Sequence, residues 1–231
     1  MLKGKVCIIT GVSGGIGLAL CEALLARGAT VAGWGRQAPE LKHERFVFYC
    51  VDIRVQAEVQ KAFRETLAYH GSRVDIVVNN AGVGYFKVLE DLTAEEWNDM
   101  FATNVDGLFY MLREIVPLMK SHRSGHIVNV SSIAGLEGIP EATGYCGTKF
   151  AVRGLSKALF SEVRKSGIKV TCVFPGSVNT EFFRNYPAVT ANETMMDARD
   201  VANSIVQVLD TPPNFNVSEI ELRPLVVKYT A

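Results

Sequence analysis

The sequence has no surplus of charge: 24 Lys and Arg residues balance 24 Asp and Glu residues in a chain of 231. Such a balance gives no long-range field to draw the chain onto nucleic acid. Two small basic groups, Lys42, His43 and Arg45, then Lys120, His122 and Arg123, fall where element ends or loops are expected and read as solvated surface. Cysteine is sparse and odd in number. Cys7, Cys21, Cys50, Cys146 and Cys172 cannot all pair, and no CxxC occurs, so buried free thiols in a reducing compartment are expected. The four histidines, His43, His70, His122 and His126, show no spacing with cysteine or carboxylate that suits zinc, and no metal is expected. Uncharged apolar runs of membrane length are also missing. The opening run Val6 to Ile9 is too short for a signal core, which leads us to expect a non-membrane, cytoplasmic protein.

What is present is material for a core. Hydrophobic residues make up 48% and charged residues 21%, which argues against disorder. Apolar runs at Val6–Ile9, Thr30–Trp34, Phe46–Val51, Val74–Val78, His126–Val130 and Lys169–Phe174 predict six strands. Helical spacing marks the stretches Ile16–Arg27 (closed by Gly28), Val55–His70, Tyr145–Arg164 and Val201–Leu209. Thr93 and Glu96 form a capping-box pattern that opens a helical stretch reaching Met119, with an interruption expected near Pro117. Glu219 to Leu222 alternates as a short strand would. Strand and helix alternate, and most strands look buried on both faces. The expectation is an α/β fold, a mostly parallel sheet with helices on both faces. No linker-like run and no repeat divides the chain, so one domain over residues 1–231 is expected, with a lid around 177–196 where the connection is unusually long.

Thr10-Gly11-Val12-Ser13-Gly14-Gly15-Ile16-Gly17 lies between the first strand and the first helix. Glycine there permits a tight reversal and close backbone approach to a pyrophosphate, and the helix N-terminus favours an anion. The placement points to a dinucleotide. At the end of strand two, where NAD sites commonly carry an acid, the sequence reads Gly33-Trp34-Gly35-Arg36. Room beside Gly35 and the cation of Arg36 favour NADP over NAD, although Arg36 would also serve as ordinary surface. Asp52, closing strand three, is placed to accept from an adenine amino group.

Tyr145 and Lys149 are four apart on a predicted helix and share a face, while Ser132 follows strand five. Carbonyl reduction needs a proton donor at oxygen as hydride reaches carbon. A free tyrosine titrates near 10, and a neighbouring ammonium would favour its phenolate. Ser132 would hold the substrate oxygen. Alone, a Tyr–Lys pair at this spacing is common packing; its weight comes from the company of the glycine turn and the serine.

Together these motifs resemble the short-chain dehydrogenase/reductase family over nearly the whole chain. The residues that carry the likeness are Thr10-Gly11 with Gly15-Ile16-Gly17, Asn79-Asn80-Ala81-Gly82, Ser132 thirteen residues before Tyr145, Lys149, and Pro175-Gly176 with Val178 and Thr180. The resemblance implies a Rossmann-like doubly wound parallel sheet. It implies a catalytic set of Asn104, Ser132, Tyr145 and Lys149, with Tyr145 as acid–base group, Lys149 lowering its pKa and binding ribose, and Asn104 holding a relay water. It implies cofactor contacts from Gly11, Ser13, Gly15, Ile16, Gly17, Arg36, Asp52, Ile53, Asn80, Ala81, Gly82, Pro175, Gly176, Val178 and Thr180. It also implies a homodimer or homotetramer packed through the helices of Asn104 and Tyr145. The ending Asn216 to Pro224 departs from a glycine-rich strand common in the family and resembles an NADP-dependent branch acting on small 3-hydroxy acids.

The substrate side is less determined. Phe182, Phe183 and Tyr186 fit a cover for an apolar substrate and equally a pin for the lid; Arg184 reads as exposed surface, or as a partner for a substrate carboxylate. Cys146 reads as packing. The expected activity is hydride transfer between NADP and a small alcohol or carbonyl. Alternatives are a reductase of 3-oxoacyl chains on acyl-carrier protein, which would want a basic docking patch, and a cofactor-binding regulator, which would have no need of all three of Ser132, Tyr145 and Lys149.

Overall fold

A computed structural model describes residues 2–183 and 192–226 of the chain. The apolar runs form seven strands: β1 (Val6–Thr10), β2 (Thr30–Gly35), β3 (Phe46–Cys50), β4 (Ile76–Asn79), β5 (Gly125–Val130), β6 (Ile168–Pro175) and β7 (Glu219–Leu222). They make one sheet in the order β3-β2-β1-β4-β5-β6-β7, with every neighbouring pair parallel. This is the doubly wound α/β architecture. The chain leaves β1 for one side of the sheet and returns to β4 on the other, so a crevice opens beyond the carboxyl ends of those two strands.

Side chains on β1 divide by alternation. Val6 and Ile8 enter a core shared with α2 (Gln56–His70), α4 (Gly107–His122) and α5 (Thr143–Val163), while Cys7 and Ile9 enter one shared with α1 (Gly15–Ala26) and α6 (Ala198–Leu209). Both faces are therefore covered, which is why the inner strands read as continuous apolar runs rather than alternating ones. The edge strand β3 is only partly buried along its length. The expected start of β4 at Val74 moves to Ile76. Just before it, the Asp75 carboxylate accepts from Val6 N–H at 3.0 Å and pairs with Lys5 at 2.8 Å and Arg73 at 2.6 Å.

The helical stretch after Thr93 differs from expectation. The capping box forms, with Thr93 Oγ1 accepting from Glu96 N–H at 3.2 Å and Glu96 Oε2 from Thr93 N–H at 3.1 Å, and it opens α3 (Ala94–Phe101). The break comes not at Pro117 but at a π turn, Ala102–Asp106, after which α4 runs through Pro117 to His122. Pro117 is exposed, so the helical carbonyl it leaves unpaired faces water, while Leu108, Met111, Ile115 and Met119 keep the buried face continuous. Among the described residues no helix is long and apolar enough to cross a membrane.

At the amino end of the sheet His126 is buried beside Lys169 of β6, and its Nε2 lies 2.9 Å from Thr171 Oγ1. Thr171 donates its own proton to Val217 O at 2.6 Å, so the imidazole is the donor to Thr171 and carries its proton on Nε2. Burial, and then the charge of Lys169, push the His126 pKa from 6.5 down to about 3. A base with a depressed folded pKa costs stability in acid, because the unfolded chain takes up a proton that the folded chain refuses. Stability should therefore fall as pH drops from about 6.5 towards 3, by at most about 1.4 kcal/mol per pH unit from this residue. Thermal melts of the native chain and of His126→Gln across that window test it; parallel curves would remove His126 as the cause.

Candidate active site

The crevice is built around one hydroxyl. β1 ends at Thr10, whose Oγ1 accepts the N–H groups of both Asn80 and Ala81, each at 3.0 Å. Asn80 answers with its Nδ2, which donates to Thr10 O at 3.0 Å and Gly11 O at 3.2 Å. The turn after β1 and the loop after β4 are thus fastened together before any ligand is considered. Gly11 has φ +73, and a Cβ there would lie 2.9 Å from Ala81 Cα; a Cβ on Gly17 would meet Gly11 O at 2.1 Å. These two positions need glycine for conformation and closeness respectively.

The N-terminus of α1 lies open. Gly14 offers no side-chain cap, the first turn carries no acid, and nothing stands within 4 Å of where a Gly14 Cβ would be. Unpaired N–H groups with open space above them suit a pyrophosphate. Ser13 is exposed in the same turn, Ile16 packs into the core below, and Gly15 is covered by Thr180, whose Cγ2 would touch a Cβ at 3.0 Å. Thr180 belongs to the stretch after β6. Pro175 ends that strand, Gly176 N–H donates to Leu222 O at 2.7 Å, and Val178 is buried and bridges to Met196.

At the far corner, Arg36 is exposed and forms no ion pair with a described residue, and Gly35 has no neighbour closer than 3.8 Å to its Cβ position. Asp52 is more committed than the sequence suggests. Its carboxylate accepts from Arg54 N–H, Nε and Nη2, and this hydrogen bonding holds its pKa below the usual carboxylate value. Arg54 Nη1 also reaches Asp99 of α3 at 2.6 Å, and Asp99 in turn accepts from Tyr85 hydroxyl at 2.9 Å. Ile53 turns its side chain inward against Gly107.

The four catalytic candidates converge beside this cleft. Asn104 sits in the π turn, where its Oδ1 accepts from Val83 N–H at 2.9 Å and its Nδ2 donates to Val83 O at 2.8 Å and Thr148 Oγ1 at 3.0 Å. Thr148 Oγ1 donates onward to Tyr145 O at 2.8 Å. Asn104 therefore positions the loop after Gly82 against the first turn of α5. Gly82 lies above both partners, its Cβ position being 3.1 Å from Asn104 Oδ1 and 3.4 Å from Lys149 Nζ. Beneath, a cavity of about 10 Å³, the size of one water, is lined by Thr10, Asn79, Thr103, Asn104 and Lys149 among others. A row of polar side chains supports this floor: Asn79 donates to Asn129 at 2.8 Å, Asn129 to Ser156 at 2.9 Å, and Ser156 to Val152 O at 2.7 Å.

Ser132 and Tyr145 meet at the mouth. Ser132 Oγ accepts from Ala134 N–H at 3.2 Å and donates to Pro175 O at 3.4 Å, and its nearness to the Tyr145 phenol opposes the upward push that burial gives the Tyr145 pKa. The expected lowering of Tyr145 by Lys149 is not seen in the protein alone. Lys149 Nζ is 5.6 Å from the Tyr145 ring centre and donates instead to Val130 O at 3.1 Å, while burial brings its own pKa from 10.5 down to about 8. Desolvation dominates both residues, and it favours the neutral phenol. Tyr145 is ringed by Phe86 at 5.3 Å and Phe182 at 5.8 Å.

Sequence reasoning missed the Thr10 hydroxyl, Thr148, Phe86 and the Arg54–Asp99–Tyr85 chain. Thr148 alone carried a local signal, since a threonine three residues after Tyr145 on a helix is placed to return a hydrogen bond to its carbonyl. The lid is described only at residues 177–183 and 192–196; Arg184 and Tyr186 lie outside the described residues. Among the described residues no group of His, Cys, Asp and Glu is arranged to hold a metal.

Comparison with known proteins agrees with this geometry. The family described as short chain dehydrogenase matches residues 5–190. An uncharacterised oxidoreductase of Staphylococcus haemolyticus is 34% identical, covering 97% of this chain and 99% of the relative. An alcohol dehydrogenase from the archaeon Thermococcus sibiricus, complexed with 5-hydroxy-NADP, superposes with a TM-score of 0.89 at 29% identity, covering 98% of this chain and 99% of that one. A 3-ketoacyl-(acyl-carrier-protein) reductase from Brucella melitensis, complexed with NADH, gives a TM-score of 0.88 at 25% identity, covering 97% and 99%.

Replacing Thr10 with the near-isosteric valine should leave the Asn80 and Ala81 N–H groups without their acceptor. A loss of about 1–3 kcal/mol in urea unfolding is expected, together with weaker dinucleotide binding. An unchanged midpoint would show that both donors find other partners.

Proposed function

The chain belongs to the short-chain dehydrogenase family and is an NAD(P)-dependent oxidoreductase, and we propose that it uses NADP to oxidise or reduce a small alcohol or carbonyl compound, with Tyr145 as acid in reduction and base in oxidation. The observation that carries the reading is the convergence of Ser132, Tyr145, Lys149 and Asn104 beside the uncapped end of α1. When bound, the nicotinamide supplies or takes the hydride.

The chain's own residues do the rest. Ser132 and Tyr145 hold the reacting oxygen from one side, and the buried phenol, kept neutral by its surroundings, releases its proton to that oxygen in reduction. Lys149, with its pKa near 8, is close enough to neutrality to pass a proton inward. The one-water cavity it shares with Asn104 supports the relay expected from the family resemblance. Gly11, Gly15, Gly17 and Thr180 shape the pyrophosphate end, and Ala81, Gly82, Pro175 and Gly176 shape the nicotinamide end. The preference for NADP is supported by Arg36, which is exposed and forms no ion pair with a described residue, beside open space at Gly35. The free cysteines, four of them buried, support a reducing, cytoplasmic setting.

We also infer self-assembly through α4 and α5, whose outward faces leave Phe109 49% and Phe150 43% exposed. Light scattering should show two or four copies; a particle of 25.3 kDa would exclude both.

Turnover is read at the nicotinamide absorbance with each cofactor in turn. Tyr145→Phe should lower turnover by about 10²- to 10⁴-fold and leave cofactor affinity nearly unchanged. Arg36→Ala should weaken NADP by about 10- to 100-fold, and NAD far less. Retained activity in the first variant would remove Tyr145 from its role, and equal losses for both cofactors in the second would remove the argument for NADP.

A further inference from the structure

We propose that Asn79 is a positioning residue for Lys149: its Oδ1 anchors a single enclosed water that also takes a hydrogen bond from the Lys149 ammonium. The inference deepens the reading of Lys149 as the inner end of a proton path and rests on it. Asn79 ends β4 and is only 8% exposed.

The orientation of its amide is fixed by a row of bonds that finishes on a backbone carbonyl. Val152 O can only accept, so Ser156 gives it the hydroxyl proton at 2.7 Å. Ser156 Oγ is then left to accept, and Asn129 Nδ2 donates to it at 2.9 Å. That turns Asn129 Oδ1 towards Asn79, whose Nδ2 donates to it at 2.8 Å. The other end of the amide, Asn79 Oδ1, is buried and has no hydrogen-bond partner among the described residues. A bare buried acceptor is costly, so it marks a place for a donor.

That place is the one-water cavity, which Asn79 lines with Thr10, Thr103, Asn104 and Lys149 among others. Asn104 is already committed: both its amide protons go to Val83 O and Thr148 Oγ1, and its Oδ1 holds Val83 N–H. Lys149 gives one of its three protons to Val130 O and keeps two. Thr10 Oγ1 accepts from both Asn80 and Ala81, so what it offers the cavity is its proton. A water here accepts from Lys149 and Thr10 and donates to Asn79, which is about the usual number of bonds for an enclosed water. By drawing on one water proton, Asn79 makes the water oxygen a better acceptor and steadies the ammonium against the burial that brings the Lys149 pKa to about 8. The titratable groups that act on Lys149 among the described residues are Tyr145, one turn back on α5, and the Cys172 thiol of β6. Burial pushes both upward, so both stay neutral.

The test reads Lys149 directly, in the full chain without cofactor or substrate. Lysine labelled with carbon-13 at Cε reports its titration by NMR, and Lys149→Arg identifies the signal. Asn79→Leu, which removes the acceptor, should lower the midpoint by about one pH unit. Asn79→Asp, which keeps an acceptor and adds charge, should raise it by about as much. The polar row tolerates the aspartate, because Asn129 and Ser156 can both reverse and donate towards it. Shifts of the same sign, or none, would show that Asn79 only ties β4 to β5 and would overturn the proposal. If Asn79→Leu does not fold, a crystal structure of the native chain decides. One water within about 3 Å of both Asn79 Oδ1 and Lys149 Nζ supports the proposal; a dry cavity or a direct Lys149–Asn79 bond overturns it. Opposite shifts in a protein that reduces no carbonyl with NADPH would leave Asn79 in its role and remove hydride transfer. Normal turnover with an unmoved midpoint would do the reverse.

Discussion

Thr10 Oγ1 is the point at which the fold becomes a site. A parallel sheet whose strand order reverses at its centre leaves two loops facing each other across a gap, with nothing in the sheet hydrogen bonding to hold them in register. Here one hydroxyl accepts two backbone N–H groups from across the gap, and the Asn80 amide closes the circuit by donating back to Thr10 and Gly11 carbonyls. The glycine turn, the open end of α1 and the loop that reaches Asn104 all take their positions from that clamp. The contact is nearly invisible from outside, since Thr10 is only 1% exposed.

Above the clamp the chemistry is set by dryness more than by direct charge pairing. Burial keeps the tyrosine in its neutral form and pulls the lysine down to about 8, so the ammonium is held less firmly than in water while the phenol keeps its proton. Lys149 is held by a carbonyl rather than by the phenol, and the phenol of Tyr145 stays protonated in the protein alone. The aromatic wall deepens this effect by keeping water from the phenol. The same rings, packed on Tyr145 at 5.3 and 5.8 Å, join the phenol to the apolar cluster beside the first turn of α5.

Much of this was legible in the sequence, for identifiable reasons. The inner strands announced themselves because a two-faced sheet demands uninterrupted apolar runs, and Thr93 with Glu96 named the start of α3 because capping is local chemistry. Gly11, Gly17, Tyr145 and Lys149 stood at readable spacings. The parts that stayed hidden are tertiary. No local rule says that Thr10 will meet Asn80 and Ala81, that Arg54 will divert Asp52 towards Asp99, or that Phe86 will face Tyr145. Pro117 misled because its cost depends on whether the carbonyl it frees is wet, and exposure is a property of the packed helix. Glu219 to Leu222 was visible only as alternation; its place as the seventh parallel strand depends on pairing with Cys172 to Pro175.

The π turn at Ala102–Asp106 is, in terms of helical phase, one residue too many. A π turn absorbs a single insertion without rotating the helix beyond it, so α3 and α4 present their apolar faces to the core as a shorter, unbroken helix would. Removing one residue there would leave Met100 on one side and Leu108 and Met111 on the other still facing inward. The bulge that directs Asn104 towards Val83 and Thr148 would be gone. The extra residue thus serves the placement of Asn104 and not the packing of the two helices, so at this one position the length of the chain is set by a single side chain's partners.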